Sequence, residues 1–412
     1  YFVVPGYWAK GAISNFMRTE DGTAVKEWRG IPFTRGGASV WYRRTCNIPA
    51  DWCNRKVELV IEDLCGAAEI YVGEQMVAQK RDPAIGVVRV DVSRALRYGE
   101  NNELRIRNSG ELNSQTGLGN VRFQLAPEVN FGEVGIVTSV SAKTLTLFFC
   151  ESSVPSGSLI DIQVKDRNGG KLYQERRSFE KKIQCRWMPP VLWSPDTPEL
   201  YFLELAIVTP DGKVPDRTVI RFGFREFTAR DGQFFLNGKP IILKAETAIP
   251  NKGSWWGLDY LVDRRFLKPL FTAYKKLNLN CTVLNGPPSE EILSLADEMG
   301  LMLLVSGRTL SHAELDRDSE SALKKLEDSL REMAKNPVYF RHPSQIGFRI
   351  DVWYGYNAGC TNPNYVGLKQ GDPNQSGISA LRNQRLNRMA ALYRKYFPDQ
   401  ECFTGGSGAV GN

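Results

Sequence analysis

Residues 221–243 read RFGFREFTARDGQFFLNGKPIIL and divide the chain into two kinds of sequence pattern. Apolar residues alternate with other residues up to Phe224, a polar turn follows at 230–232, and Asn237-Gly238 then separates two short apolar runs. Asn-Gly between hydrophobic runs is typical of a tight β-hairpin, because both residues tolerate positive φ. Upstream the chain contains short strand patterns, whereas downstream strands alternate with amphipathic helices, as in parallel α/β domains. We therefore predict that a β-rich region ends here and an α/β region begins.

The downstream region is predicted to alternate strands with helices. Strand patterns occupy 241–247, 280–284, 301–305, 345–352 and 401–404, and helical patterns occupy 263–277, 289–298, 318–336 and 375–396. We expect the first helix to bury Phe266, Leu270, Ala273 and Leu277, and Ser289 to cap the second. This order is that of a (β/α)8 barrel, but 176 residues follow position 236, against ~250 for a typical barrel. The pattern predicts a partial barrel in a fragment of a longer chain.

The upstream region is predicted to form two antiparallel β-sandwiches. Strand patterns occupy 40–44, 57–61, 68–72 and 87–92 in the first, and 136–140, 144–149, 159–164 and 200–208 in the second. Turn residues separate them, as a sandwich requires. Large aromatic residues are usually core anchors, so we expect Trp41, Tyr42 and Trp52 to pack inside, with stacking on a ligand as the alternative.

Composition excludes several classes of protein. The net charge of +7 comes from 53 basic and 46 acidic residues spread along 412 positions without a run of like charges, so we expect no nucleic-acid partner. The eight cysteines contain no CxxC motif, and none has the spacing from the only two histidines, His312 and His342, that a zinc site requires. We therefore expect no metal and no cofactor. A Cys46–Cys53 disulfide stays open for an oxidising compartment. No apolar stretch reaches the ~18–20 residues that span a bilayer.

Several motifs carry a family resemblance. RFGFRE followed by DGQFFLNGKPIIL, together with WYRRTCNIPADW and LWSPDTPELYFLEL, resembles family 2 glycoside hydrolases, which include β-galactosidases, β-glucuronidases and β-mannosidases. The resemblance implies a jelly-roll sugar-binding-like domain at 1–130, an immunoglobulin-like β-sandwich at 131–227, and the N-terminal part of a (β/α)8 barrel at 228–412. It also implies a carbohydrate substrate and makes an extracellular or periplasmic location possible. The opening YFVVPGYW resembles the middle of a domain, so we expect the start of the protein to be missing.

Glycoside hydrolysis needs two carboxyl groups, one as acid/base and one as nucleophile when configuration is retained. Residues 341–346, RHPSQI, resemble the family's entry into strand four, which ends in an Asn-Glu acid/base pair. Val352 and Trp353 occupy those two positions here, and the family's nucleophile position would lie beyond the end of this chain. Asp351 is a candidate acid/base, although a one-residue slip would turn it away from the site unless a bulge restores it. A structural ion pair is the alternative for Asp351.

Other strand ends supply further candidates. Glu246 is a second candidate catalytic carboxylate, with a surface or salt-bridge role as the alternative. Lys244 stands where the family has an arginine, and it keeps the charge without the bidentate fork. Trp353, Tyr354 and Asn357 are predicted to bind substrate, because aromatic faces stack on sugar rings. Two functions stay open: a glycosidase that hydrolyses O-glycosidic bonds of a β-linked sugar, or a carbohydrate-binding or scaffolding relative that has lost catalysis.

Overall fold

The protein is mostly β-sheet, with four α-helices in the part of the chain that the structure describes. The structure, a computed structural model, describes residues 6–7, 38–64, 66–81, 86–110, 117–118, 121–150, 152–249, 264–284, 290–307, 310–335, 339–350, 352–353 and 375–404. Within these residues the buried apolar side chains form four clusters. None of the described helices is long and apolar enough to cross a membrane.

The first β-sheet unit contains nine strands: β1 Gly6–Tyr7, β2 Ala38–Asn47, β3 Val57–Leu64, β4 Ala67–Val72, β5 Gln75–Lys80, β6 Gly86–Asp91, β7 Asn101–Gly110, β8 Gly117–Leu118 and β9 Val121–Leu125. Its larger sheets have the orders β2-β7-β4-β5 and β6-β3-β9, and β1 pairs with β8. Alternation along β4 buries Ala68, Ile70 and Val72 against Leu59 and other side chains of β3. The four strands predicted here are confirmed.

One expectation for this unit is wrong, and one alternative that the composition left open is not realised. Trp41 is 53% exposed, because it shares a face of β2 with Arg43 while its neighbour Tyr42 faces the core. Tyr42 and Trp52 pack partly against the core as expected. Cys46 and Cys53 are free thiols, so the disulfide that composition left open is not formed.

The second β-sheet unit contains seven strands: β10 Glu133–Ser139, β11 Thr144–Cys150, β12 Leu159–Lys165, β13 Lys171–Ser178, β14 Lys182–Arg186, β15 Tyr201–Val208 and β16 Arg217–Phe222. Two antiparallel sheets, β10-β11-β14 and β13-β12-β15-β16, enclose one apolar cluster that includes Leu147, Ile162 and Leu203. The four predicted strands are confirmed. A short antiparallel sheet then follows, with β17 Phe227–Arg230, β18 Gln233–Leu236 and β19 Lys239–Ile241.

The hairpin between β18 and β19 is the turn predicted from Asn237-Gly238. Both turn residues have positive φ, 54° and 77°, and Leu236 pairs with Lys239 across them. Positive φ at both central positions gives a turn whose twist matches that of the flanking strands. The rest of the predicted strand at 241–247 is divided, because Ile241 ends the hairpin and a new strand begins at Ala245.

The last region is a parallel sheet with helices. Its elements are β20 Ala245–Ile249, α1 Arg264–Lys276, β21 Cys281–Leu284, α2 Glu290–Met299, β22 Met302–Ser306, β23 Leu310–Ser311, α3 His312–Met333, β24 Gln345–Ile350, β25 Val352–Trp353, α4 Gln375–Tyr396 and β26 Glu401–Thr404. Five strands pair in parallel in the order β20-β21-β22-β24-β26, and β23 pairs with β25. The alternation of strands and helices is confirmed.

Two helices differ in detail from the prediction. α1 buries Leu267, Phe271 and Tyr274, whereas Leu277 is 71% exposed because it lies in the turn after the helix. α3 begins before the predicted start, but Asp318 inside it is not helical and accepts a hydrogen bond from the Ser321 N–H at 3.0 Å. Asp318 therefore caps the predicted helical segment. The predicted cap Ser289 lies outside the described residues.

Candidate active site

The two faces of the parallel sheet have different coverings. Leu284, Val305 and Phe348 pack with side chains of the helices, whereas Val283 and Leu304 pack on the other face with the β17–β19 sheet. All five strands run in the same direction, so their carboxyl ends meet at one edge. Ligands of open parallel sheets bind outside that edge. We therefore take the carboxyl edge, on the face away from the helices, as the candidate active site.

Four of the six predicted site residues come directly after β24 in the sequence. Trp353 belongs to β25, whose backbone pairs with Ser311 of β23. Asp351, Tyr354 and Asn357 lie outside the described residues. The pairing of β24 with β22 contains a register shift between Leu303 and Leu304. A shift of this kind can change which face of the sheet a residue occupies.

Glu246 lies on the helix-covered face of the sheet. It pairs in register with Thr282, which pairs with Leu303 of the helix-packed cluster. Burial raises the pKa of Tyr274 on α1, and the charge of Glu246 raises it further. This position is opposite to the face of the candidate site, so a catalytic role for Glu246 stays a prediction without geometric support.

Lys244 lies at the amino end of β20. Its backbone N–H donates to Asn280 Oδ1 at 2.8 Å, and its carbonyl accepts from the Asn280 N–H at 3.1 Å. Lys244 is exposed to solvent. The position belongs to the edge opposite the candidate site, and a role in substrate binding stays a prediction.

Arg349 is a candidate that sequence reasoning missed. It pairs in register with Phe403, whose ring lies 5.4 Å from Phe234 and 6.1 Å from Phe227 on the face away from the helices. Arg349 is half-buried on that face, one residue before the end of β24. Alternation within the strand could have identified it, since Phe348 and Ile350 are both apolar.

A buried polar network holds the opposite, amino edge of β24. His342 Nδ1 lies 2.6 Å from Asp297 Oδ2, and its Nε2 lies 3.3 Å from Glu290 Oε2. The other Asp297 oxygen accepts the Ser344 N–H at 3.0 Å, and the Asp297 carbonyl accepts the Trp193 indole N–H at 2.9 Å. The contacts of His342 and Ser344 therefore tie the start of β24 to α2. The Trp193 contact ties α2 to the second β-sheet unit.

Charges within this network compensate each other. Burial opposes the charged form of His342, but the carboxylates of Asp297 and Glu290 outweigh it and raise the pKa of His342 to about 9. Burial raises the pKa of Glu290, but His342 and Arg341 outweigh that effect and hold it well below its usual range. Arg225 donates from Nε to the Pro343 carbonyl at 3.0 Å. The network fixes β24 at its amino end, opposite the edge of the candidate site.

No spacing in the sequence could have identified this network, because Asp297 and His342 are 45 positions apart and lie on different elements. Only the motif RHPS indicated that the region is constrained. Within the described residues, this network included, no group of three His, Cys, Asp or Glu side chains is arranged to hold a metal ion.

Known proteins resemble the chain in sequence. Residues 145–225 match the model of glycosyl hydrolases family 2. β-Galactosidase 2 of Enterobacter cloacae is 27% identical over 156 residues, which are 36% of this chain and 14% of that protein. A β-galactosidase of Thermoanaerobacter pseudethanolicus is 20% identical over 341 residues, 76% of this chain and 45% of that protein.

Solved structures resemble it in fold. The apo β-glucuronidase from Ruminococcus gnavus superposes with a TM-score of 0.67 at 16% identity, over 97% of this chain and 66% of that one. The family model, the β-galactosidase relatives and the similar fold all match parts of the same chain. In sequence and in fold the chain therefore resembles a divergent member of glycosyl hydrolase family 2. The aligned part of the chain spans less than half the length of the two β-galactosidases.

Proposed function

We propose that this chain forms part of a glycoside hydrolase that cleaves O-glycosidic bonds of a β-linked sugar. The observation that carries the proposal is the parallel sheet itself. Its fourth strand, β24, enters through the RHPS motif, is anchored by the His342–Asp297 pair, and ends at an edge where the substrate-binding candidates cluster in sequence. Anchoring at one end of a strand positions side chains at the other end, which acid–base chemistry requires.

The finer architecture belongs to the same proposal. We propose that residues 1–130 form a jelly-roll domain, 131–227 an immunoglobulin-like sandwich, and 228–412 part of a (β/α)8 barrel. The separate apolar clusters of the two β-sheet units support the first two assignments. The consecutive order β20, β21, β22, β24 and β26, with helices on one face, supports the third.

We assign roles at the carboxyl edge as follows. Asp351 is the proposed acid/base, and Glu246 is the less favoured carboxylate because its register places it on the helix-covered face. Trp353, Tyr354 and Asn357 are the proposed substrate-binding wall, while Lys244 is a weaker candidate at the other edge. A carboxyl pair ~5 Å apart would give retention of configuration.

Hydrolysis of nitrophenyl β-galactoside, β-glucuronide, β-mannoside and β-glucoside tests the proposal on the full chain. We expect activity on one of them, and a loss of ~100-fold or more for Asp351→Asn, since general acid catalysis contributes ~10²–10⁴-fold. Glu246→Gln is expected to retain activity, and the exposed Glu128→Gln serves as the matched control. An active Asp351→Asn variant would contradict the assignment of the acid.

A second function is favoured by one observation. Val352 and Trp353 replace the Asn-Glu pair that the family resemblance implies at the end of strand four. A carbohydrate-binding relative without catalysis would hydrolyse none of the four glycosides yet would still bind a sugar in calorimetry. That result would replace the hydrolase with the binding protein.

A further inference from the structure

A groove with a volume of about 1000 Å³ runs beside β2 in the first β-sheet unit. Its volume is at the upper end of the ~300–1,000 Å³ typical of ligand pockets. Aromatic rings and guanidinium groups share its wall, among them Trp41, Tyr42, Arg43, Arg44, Trp52 and Arg122. The described residues that line it all belong to the first unit, and none of them belongs to the parallel sheet.

The position of β2 explains why such different side chains meet in one groove. β2 is the terminal strand of its sheet and, among the described strands, pairs only with β7. Trp41 and Tyr42 are consecutive, so they extend from opposite faces of this edge strand. Backbone N–H and C=O groups along the other edge have no ladder partner among those strands and can bond to hydroxyl groups.

Trp41 is held in place although it is exposed. Its ring centroid lies 5.8 Å from that of Tyr71. The Tyr71 hydroxyl donates to Glu69 at 2.9 Å, and the Arg105 guanidinium lies 5.7 Å from the Tyr71 centroid. An indole that is 53% exposed contributes little to a core, whereas a fixed aromatic face costs little entropy when it stacks on a sugar ring.

The charge of the groove selects the kind of sugar. Among the described residues that line it are three arginines and no aspartate or glutamate. Arg43 forms an ion pair with Glu103 at 2.5 Å, whereas Arg44 is exposed and forms no ion pair within the described part of the chain. Guanidinium groups bind carboxylate and sulfate groups in bidentate geometry.

We propose that this groove binds an acidic oligosaccharide, one that carries carboxylate or sulfate groups, as a second site separate from hydrolysis. The choice of a carbohydrate rests on the proposed function, while the aromatic and cationic wall is independent of it. Single-stranded nucleic acid also combines stacking bases with anionic groups. The spread of charge along the whole chain, without a basic run, favours the saccharide.

Calorimetric titration of the full chain tests this site with three hexasaccharide probes: a hyaluronan fragment that carries carboxylates, a chondroitin sulfate fragment, and neutral cellohexaose. We expect the acidic probes to bind more tightly than cellohexaose, with an affinity that falls as salt is added. Chondroitin sulfate carries the same carboxylates as hyaluronan plus sulfate groups, so tighter binding of chondroitin sulfate would show that the groove also recognises sulfate. An oligothymidylate that binds more tightly than every saccharide would overturn the proposal.

Variants locate the binding in the groove. We expect Trp41→Ala to weaken binding of the preferred acidic probe ~10-fold, through lost stacking. Arg44→Ala should weaken the acidic probes by a similar ~10-fold and leave the neutral probe unchanged. The exposed Arg167→Ala, in the second β-sheet unit, is the matched control and should bind as the unmodified chain does. Binding that is absent from the unmodified chain, or unchanged in Trp41→Ala and Arg44→Ala, would overturn the site.

Hydrolysis of the nitrophenyl glycosides by the same variants separates this proposal from the proposed function. Trp41→Ala and Arg44→Ala should retain hydrolysis, because both residues belong to β2 and the described lining of the groove lies in the first β-sheet unit. If the unmodified chain binds acidic probes through Trp41 but hydrolyses nothing, the proposed function fails and the groove stands. If it hydrolyses a glycoside but the groove variants bind normally, the groove fails alone.

Discussion

The amino edge of the parallel sheet and the groove beside β2 both contain charged and aromatic side chains, but these are buried at the sheet edge and exposed in the groove. At the sheet edge, His342 and Asp297 are 6% and 2% exposed, and they neutralise each other at 2.6 Å. In the groove, Trp41 is 53% exposed and Arg44 has no ion pair within the described residues. Charges that compensate each other in the interior stabilise one arrangement of the chain. Exposed and uncompensated groups are instead available for a ligand.

The largest expected effect is the loss of the central carboxylate of the network. Asp297→Ala removes the nearer of the two carboxylates that compensate the buried charge of His342, leaving only the more exposed Glu290, and it leaves the Ser344 N–H without its acceptor. Removing one partner of a buried pair costs ~3–5 kcal/mol, so we expect that decrease in the free energy of unfolding. Urea unfolding followed by tryptophan fluorescence measures it, with the exposed Glu128→Ala as control. A change of less than ~1 kcal/mol would mean that the network is not a structural anchor.

A second contrast between the packed junction and the open surface involves two glycines. Gly300 has a φ of +67°, and a Cβ there would lie 2.4 Å from the Pro195 carbonyl oxygen. Gly238 has a φ of +77° but nothing within 4 Å of the same position. We expect Gly300→Ala to destabilise by ~3 kcal/mol through backbone strain and a clash, and Gly238→Ala by ~1 kcal/mol through strain alone. Equal unfolding midpoints for the two variants would show that the contact with Pro195 is not rigid.

The charge of His342 predicts a dependence of stability on pH. Its pKa is about 9 in the folded protein, above the 6.5 of an unperturbed histidine. The stabilisation is therefore complete below pH ~6.5 and is lost as the pH rises through about 9, with a total of ~3 kcal/mol. Unfolding free energies measured from pH 6 to 10 should fall more steeply for the unmodified chain than for His342→Gln. Parallel slopes would exclude His342 as the titrating group.

The smallest expected effect concerns the groove. Trp41→Ala and Arg44→Ala should change the free energy of unfolding by no more than ~0.5 kcal/mol, because both side chains are exposed. Ile106→Ala, in the buried face of the neighbouring strand, should cost ~2–5 kcal/mol and serves as the contrasting control. A loss of several kcal/mol for Trp41→Ala would assign Trp41 to the fold and weaken its role in binding.

Local features of the sequence were predictable because their causes are local. The hairpin at Asn237-Gly238 depends on two residues that tolerate positive φ, and the strands of both β-sheet units depend on alternation within five to eight residues. The apolar face of α1 was predicted only in part, since Leu270 packs against the core as expected while Ala273 and Leu277 are exposed. Leu267, Phe271 and Tyr274 are the buried residues of that helix. A helical period alone does not decide between adjacent positions.

Arrangements that depend on distant elements were not predictable. The face occupied by Glu246 follows from the pairing of β20 with β21 and of β21 with β22. Trp41 was expected in the core, and its exposure depends on the side of β2 that faces β3 and β9. Asp297 meets His342 only because α2 packs beside the start of β24.

By itself, the amino-acid sequence determined the order of strands and helices, the turn chemistry and the family resemblance, because these depend on neighbouring residues. Tertiary structure alone decided which carboxylates are paired, which face of the sheet each candidate occupies, and where an aromatic ring stays exposed. Those properties arise when segments far apart in sequence exclude water from each other, and the free energy of a charge or a ring depends on the surroundings that result.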